Sequence, residues 1–221
     1  MVKAMVACVL TLGLCAAAAD AQTLNTDQDK TLYALGLAIG NNVKDFNLTP
    51  AELALVTAGL SDAVQGKQPK VDIQTYGPKL QDLAQERASA AATNEKKASG
   101  AFLEKMSKEP GAVRSPTGVI YIPVKVGTGD SPKAESTVKV HYHGTLRDGT
   151  VFDSSVQRGE PISFPLNGVI PCWTEGVQKM KVGGKAKLVC PSETAYGDRG
   201  QGPIPGGAAL MFEVELLAIE N

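Results

Sequence analysis

The only two histidines of this 221-residue chain, His141 and His143, flank Tyr142 in the stretch VKVHYHGTLRDGTVFDSS, residues 138–155. Histidines at i and i+2 of a strand point the same way and can fill two corners of a metal site, but no third ligand stands close by in sequence. On a half-buried strand the same spacing puts both on the solvent face and turns Tyr142 into the core. That reading is adopted here, and no metal site is expected. Nucleophilic chemistry is equally hard to assemble. There is no G-x-S-x-G elbow, and the glycines of residues 197–207 alternate with prolines and do not open a helix as a phosphate loop would. Cys172 and Cys190 fit either a disulfide or two small buried apolar positions.

The same half of the chain does hold aromatic and aliphatic residues with a few polar groups among them. Tyr142, Phe152, Asp153 and Ile162 are followed by Phe164, Val169, Ile170 and Trp173, then by Tyr196 and Phe212. Singly, each suits a core; together they can line an apolar pocket with a small number of hydrogen-bonding groups.

These residues need a sheet to hold them. Val138, Val140 and Tyr142 alternate with Lys139, His141 and His143; Ala186, Leu188 and Cys190 alternate with Lys185, Lys187 and Val189; Leu210, Phe212, Val214 and Leu216 repeat the period. Short strands of this kind, joined by turns such as Arg147-Asp148-Gly149, predict an antiparallel sheet. One short helix beginning near Ile170-Pro171 carries Trp173 and Val177. Residues 113–221 are taken as this domain, after the proline- and glycine-rich break EPGAVRSPTG.

The preceding part reads as helix. Thr26-x-x-Asp29 is a capping start for a face of Leu32, Leu35, Ile39 and Val43, with Gly36 and Gly40 on the same side. Thr49-Pro50-Ala51-Glu52 combines an N-cap, a first-position proline and a capping-box glutamate, ahead of Leu53, Val56, Leu60 and Val64. Residues 22–72 are taken as a helical dimerisation domain; its two helices alone are only about 45 residues and too small to bury their stripes, which predicts self-association. Residues 73–112 form a long connecting helix and linker whose apolar side chains between Leu83 and Phe102 are all alanine. It is expected to be a solvated spacer, about 45 Å long for about 30 residues. The fold class is therefore α+β.

Residues 1–21 read as a signal peptide: Lys3, an apolar run, then Ala19-Asp20-Ala21 as the cleavage site after Ala21. The protein is expected to be exported, periplasmic or secreted, without a membrane anchor. A net charge of −1 gives no reason to expect nucleic acid as a partner.

Three blocks, VKVHYHGTLRDGTVFDSS, GVIPCWTEGVQKMKVGGKAKLVCP and AYGDRGQGPIPGGAALMFEVELL, resemble in order and spacing the FKBP-type peptidyl-prolyl cis-trans isomerase domain. The helical half is similar to that of the exported, dimeric macrophage-infectivity-potentiator branch. The resemblance implies an antiparallel sheet wrapped around a short helix, and a homodimer through the N-terminal helices. Carried over residue by residue, it implies Tyr142, Phe152, Asp153, Tyr196 and Phe212 as catalytic positions. Arg158, Ile162, Val169, Ile170, Trp173 and Ile204 become substrate-binding positions, with Trp173 as the floor. Ile162 stands where many relatives carry an aromatic wall.

The implied reaction, rotation of an X-Pro amide in a dry aromatic pocket, needs no cofactor. Its implied partners are proline-containing polypeptides and partly folded exported proteins. The alternative is a chaperone-like binding protein with little isomerase turnover.

Overall fold

The computed structural model describes residues 23–220, so the expected signal peptide and its cleavage site lie outside the described residues. The chain divides into two units between Lys44 and Asp45. The first contains α1 (Asp27–Val43), started by a reciprocal cap: the Thr26 side chain accepts the Asp29 N–H, and the Asp29 carboxylate accepts the Thr26 N–H at 2.8 Å. No residue of α1 is buried, and Leu32, Leu35 and Ile39 all face solvent.

The second unit opens with α2 (Pro50–Val64), capped by Thr49 and Glu52 and likewise without a buried residue. A single turn, α3 (Ile73–Tyr76), leads into α4 (Lys79–Met106). Arg87 of α4 donates to Glu52 at 2.6 Å, tying the two helices together. Among the described residues, no helix is long and apolar enough to cross a membrane.

Beyond α4 come β1 (Val113–Arg114), β2 (Ile120–Lys125), β3 (Thr137–Leu146), β4 (Val151–Ser154), α5 (Ser155–Arg158), β5 (Ile162–Pro165), α6 (Pro171–Val177), β6 (Lys185–Cys190) and β7 (Leu210–Glu220). The strands pair antiparallel in the order β1-β2-β6-β7-β3-β4, and β5 shares the edge of β3 with β4. Tyr142 lies opposite Val214, and Val140 opposite Leu216, so the alternating apolar residues of β3 and β7 fall on one face. That face closes over Trp173 and Val177 of α6. The two cysteines form a disulfide joining α6 to β6 at a Cα separation of 5.6 Å, which decides between the two readings their sequence left open.

The connecting helix departs from expectation. Residues 79–91 bury nothing, as a spacer would, but Ala92, Ser99, Leu103 and Met106 form one buried stripe along the remainder. Leu103 and Met106 pack with Ile120, Ile122, Val189 and Ala209 on the back of the sheet. Val189, expected on an outward face with Lys185 and Lys187, is fully buried for this reason. The end of α4 is thus part of the sheet domain, although its sequence places it in the linker.

Candidate active site

A cavity of about 530 Å³ opens between β3, β4, β5, α6, β7 and the loop before β7. Its floor is Trp173, brought inward because Pro171 starts α6 at its first position and the disulfide holds the neighbouring Cys172 to β6. Three rings meet Trp173 edge-on: Tyr142 at 5.4 Å and 87°, Phe164 at 5.8 Å and 82°, and Phe212 at 5.3 Å and 89°. Phe152 meets Phe212 at 5.4 Å and 87°. Edge-to-face contact suits the ring quadrupoles and leaves an apolar basin rather than a stack. Gly144 of β3 makes room for it, since a Cβ there would lie 2.7 Å from the Phe152 ring and 3.1 Å from that of Phe212.

The rim is polar. The Tyr142 hydroxyl donates to one oxygen of Asp153, Arg158 Nη1 donates to the other, and Arg158 Nη2 donates to the Tyr142 hydroxyl at 3.0 Å. The turn α5 makes this triangle. Its Ser154 cap accepts the Gln157 N–H, and Gly159 reverses the chain at φ 82°, returning Arg158 over the ring of Tyr142. Partial burial pushes the Asp153 carboxyl up, but hydrogen bonds from Tyr142 and Arg158 outweigh it and leave it below its ordinary value. Burial, helped by the Asp153 charge, raises the phenols of Tyr142 and Tyr196.

Ten of the residues expected to form the site line this one cavity: Tyr142, Phe152, Asp153, Arg158, Ile162, Val169, Ile170, Trp173, Tyr196 and Phe212. Ile204 does not; it is 7% exposed and packs in the core under the loop. Phe164 supplies an aromatic wall one β5 alternation from Ile162, on the same face. Gln201 also reaches the cavity, and no motif or period in its glycine-rich loop marked it in advance. His141 and His143 point away, with Nδ1 atoms 3.2 Å from Ser155 Oγ and 3.0 Å from Ser154 Oγ. Ser155 also accepts the Tyr142 N–H at 2.8 Å, so the outer face of β3 is fastened to the turn that carries Arg158.

Residues 129–217 match the family model described as FKBP-type peptidyl-prolyl cis-trans isomerase, and residues 28–122 match the domain amino terminal to it. The chain is 43% identical over 207 residues to the FKBP-type peptidyl-prolyl cis-trans isomerase FkpA of Aeromonas hydrophila, covering 88% of this chain and 77% of that one. It is 36% identical to the outer membrane protein MIP of Legionella longbeachae, covering 96% of this chain and 94% of the relative. The crystal structure of FkpA from Escherichia coli superposes with a TM-score of 0.70 at 37% identity, over 90% of this chain and 99% of that chain.

Proposed function

This chain belongs to the family of FKBP-type peptidyl-prolyl cis-trans isomerases, and on that premise we propose that the cavity over Trp173 is where an X-Pro amide is turned. The barrier to such rotation is about 18–20 kcal/mol because it sacrifices amide resonance. In the twisted amide the carbonyl carries less negative charge, so it depends less on water than the planar form does. A basin of four aromatic rings around the prolyl ring therefore favours the twisted form selectively. Phe152 and Phe212 flank proline, the Ile170 N–H and the Tyr196 hydroxyl hold the peptide, and the Asp153–Tyr142–Arg158 triangle keeps the Tyr142 ring upright. The observation that carries the reading is the edge-on enclosure of Trp173.

Its test is a protease-coupled assay on an X-Pro tetrapeptide. Phe152→Ala should lower kcat/KM by about tenfold or more, while His141→Ala, on the opposite face, should change it less than about twofold. Equal losses from both would place the working face of β3 on the wrong side.

The proposal extends to assembly and place. No residue of the apolar faces of α1 and α2 is buried in the single chain, and a second copy is the partner that would cover them symmetrically. Two cavities would then be offered to one unfolded client, as expected for an exported folding enzyme. Sedimentation at micromolar concentration tests the assembly, and a monomer there would remove it without touching the isomerase assignment. Recovery of the mature chain in an envelope fraction, beginning at Gln22, tests the export.

A further inference from the structure

One two-turn stretch of α4 grips the loop that presents Tyr196 and Gln201 to the cavity. The Ser99 hydroxyl, 3% exposed, accepts the Ala209 N–H at 2.7 Å, at the loop's exit into β7. Near the loop's entry, Lys96 Nζ lies 2.7 Å from a Glu193 oxygen and 3.7 Å from Asp198. These two carboxylates bracket Tyr196, one on each side in sequence. Between these points the backbones touch: a Cβ at Gly207, where φ is +77°, would lie 2.3 Å from the Ala92 carbonyl oxygen. On the adjoining hairpin, Arg147 binds Glu95 through two hydrogen bonds, at 2.8 and 3.1 Å.

The loop itself has little regular structure. A 3-10 turn at Ser192–Thr194 and the bonds Gly197 N–H to Ser192 O and Gly207 N–H to Gly197 O close it into a compact knot. Within that knot Glu193 and Asp198 carry like charges, and the Lys96 ammonium lies within 4 Å of both. No α4 residue lines the cavity. Whatever Lys96 contributes to turnover must therefore pass through the loop carboxylates it touches.

We propose that Lys96, with Ser99, is a positioning residue for the isomerase reaction, fixing residues 192–209 so that Tyr196 and Gln201 hold the peptide at the cavity mouth. This rests on the reading of the cavity given above. Neutralising Lys96 leaves Glu193 and Asp198 to repel one another and lets Tyr196 swing. Peptide binding then weakens, while the rotation step over Trp173, which Lys96 does not touch, is largely kept.

The test uses full-length protein and an X-Pro tetrapeptide. Lys96 is 47% exposed, so its replacement does not disturb a core. Lys96→Ala should raise KM by about threefold to tenfold with kcat nearly unchanged, and Lys96→Arg should restore KM to within about twofold. In a Tyr196→Phe background, Lys96→Ala should add less than it does in the parent, because one of the two groups it positions is already gone. If Lys96→Ala matches the parent, loses equally in both backgrounds, or is not rescued by arginine, the proposal is overturned. Phe152→Ala run alongside separates the two ideas: full activity in that variant would sink the cavity reading itself, whereas its loss beside an unaffected Lys96→Ala would sink the clamp alone.

Discussion

Arg158 and Asp153 grip the same phenol hydroxyl: the guanidinium donates to the Tyr142 hydroxyl at 3.0 Å, and that hydroxyl in turn donates to the carboxylate, to which Arg158 is also paired. The triangle closes only with a planar, forked cation. An ammonium cannot reach two acceptors in that plane with fixed geometry. Arg158→Lys should therefore behave as a loss rather than a conservative change, with kcat/KM down by about threefold to tenfold, and Asp153→Ala should cost about tenfold or more. A peptide assay with both variants checks this; Arg158→Lys at parental activity would mean the triangle is not used.

The charge state of the cavity should hold over a broad pH range. Asp153 sits below its ordinary value, so it remains ionised down into acid, and Tyr142 and Tyr196 sit above theirs, so both remain protonated well into base. We expect kcat/KM to be level from about pH 5 to about pH 9. A bell-shaped profile centred inside that range would show that another group titrates in the reaction.

Acid should weaken the join between α2 and α4. The Arg87 hydrogen bond, with support from the Thr49 N–H, holds Glu52 down to about 2 from an ordinary 4.5. A depressed carboxyl stabilises the fold fully above its unfolded value, and that contribution fades as pH falls from about 4.5 through about 2. Helicity followed by circular dichroism should decline across this window in the parent and more weakly in Glu52→Gln, which keeps the capping geometry but has no charge to lose. Parallel titration curves would rule the ion pair out as the acid-sensitive element.

Gly36 and Gly40 offer a variant with opposite effects on helix and assembly. A Cβ at either position meets nothing within 4 Å in the single chain. Alanine there should strengthen an isolated helix by about 0.5–1 kcal/mol per site, yet it would hold a second helix further away. Gly36→Ala/Gly40→Ala should therefore weaken self-association in sedimentation while leaving peptide turnover unchanged. Unaltered association would show that these glycines face solvent in the assembly too.

The sheet was legible because it rests on short-period patterns, whereas Trp173 as a floor came from the family resemblance alone. Val138, Val140 and Tyr142 alternate along β3, and all three are buried as that spacing requires. The two helix starts were legible because each cap is local, with all its partners inside four residues. What escaped was the docking of α4. Ala92 and Ser99 carry little apolar surface, so nothing in the helix's own period distinguishes a side that meets glycine backbone from one that meets water. Gln201 escaped for a related reason: its place depends on a knot of positive-φ glycines, among them Gly197, Gly200 and Gly202, rather than on an alternating run. Ile204 shares that loop and was drawn into the core beneath it.

The staple between Cys172 and Cys190 links the stability of the cavity floor to the redox state of the chain. The residue that floors the cavity, Trp173, is the immediate chain neighbour of a half-cystine, and the other half ends the strand β6. Closing a ring of this length stabilises by roughly 3 kcal/mol in the chain-entropy picture. A newly made chain holding two thiols has its sheet pattern intact but its floor helix unriveted. An enzyme that hastens one slow step in the folding of others, the turning of prolines, thus draws part of its own stability from a second slow step, the pairing of its two sulfurs.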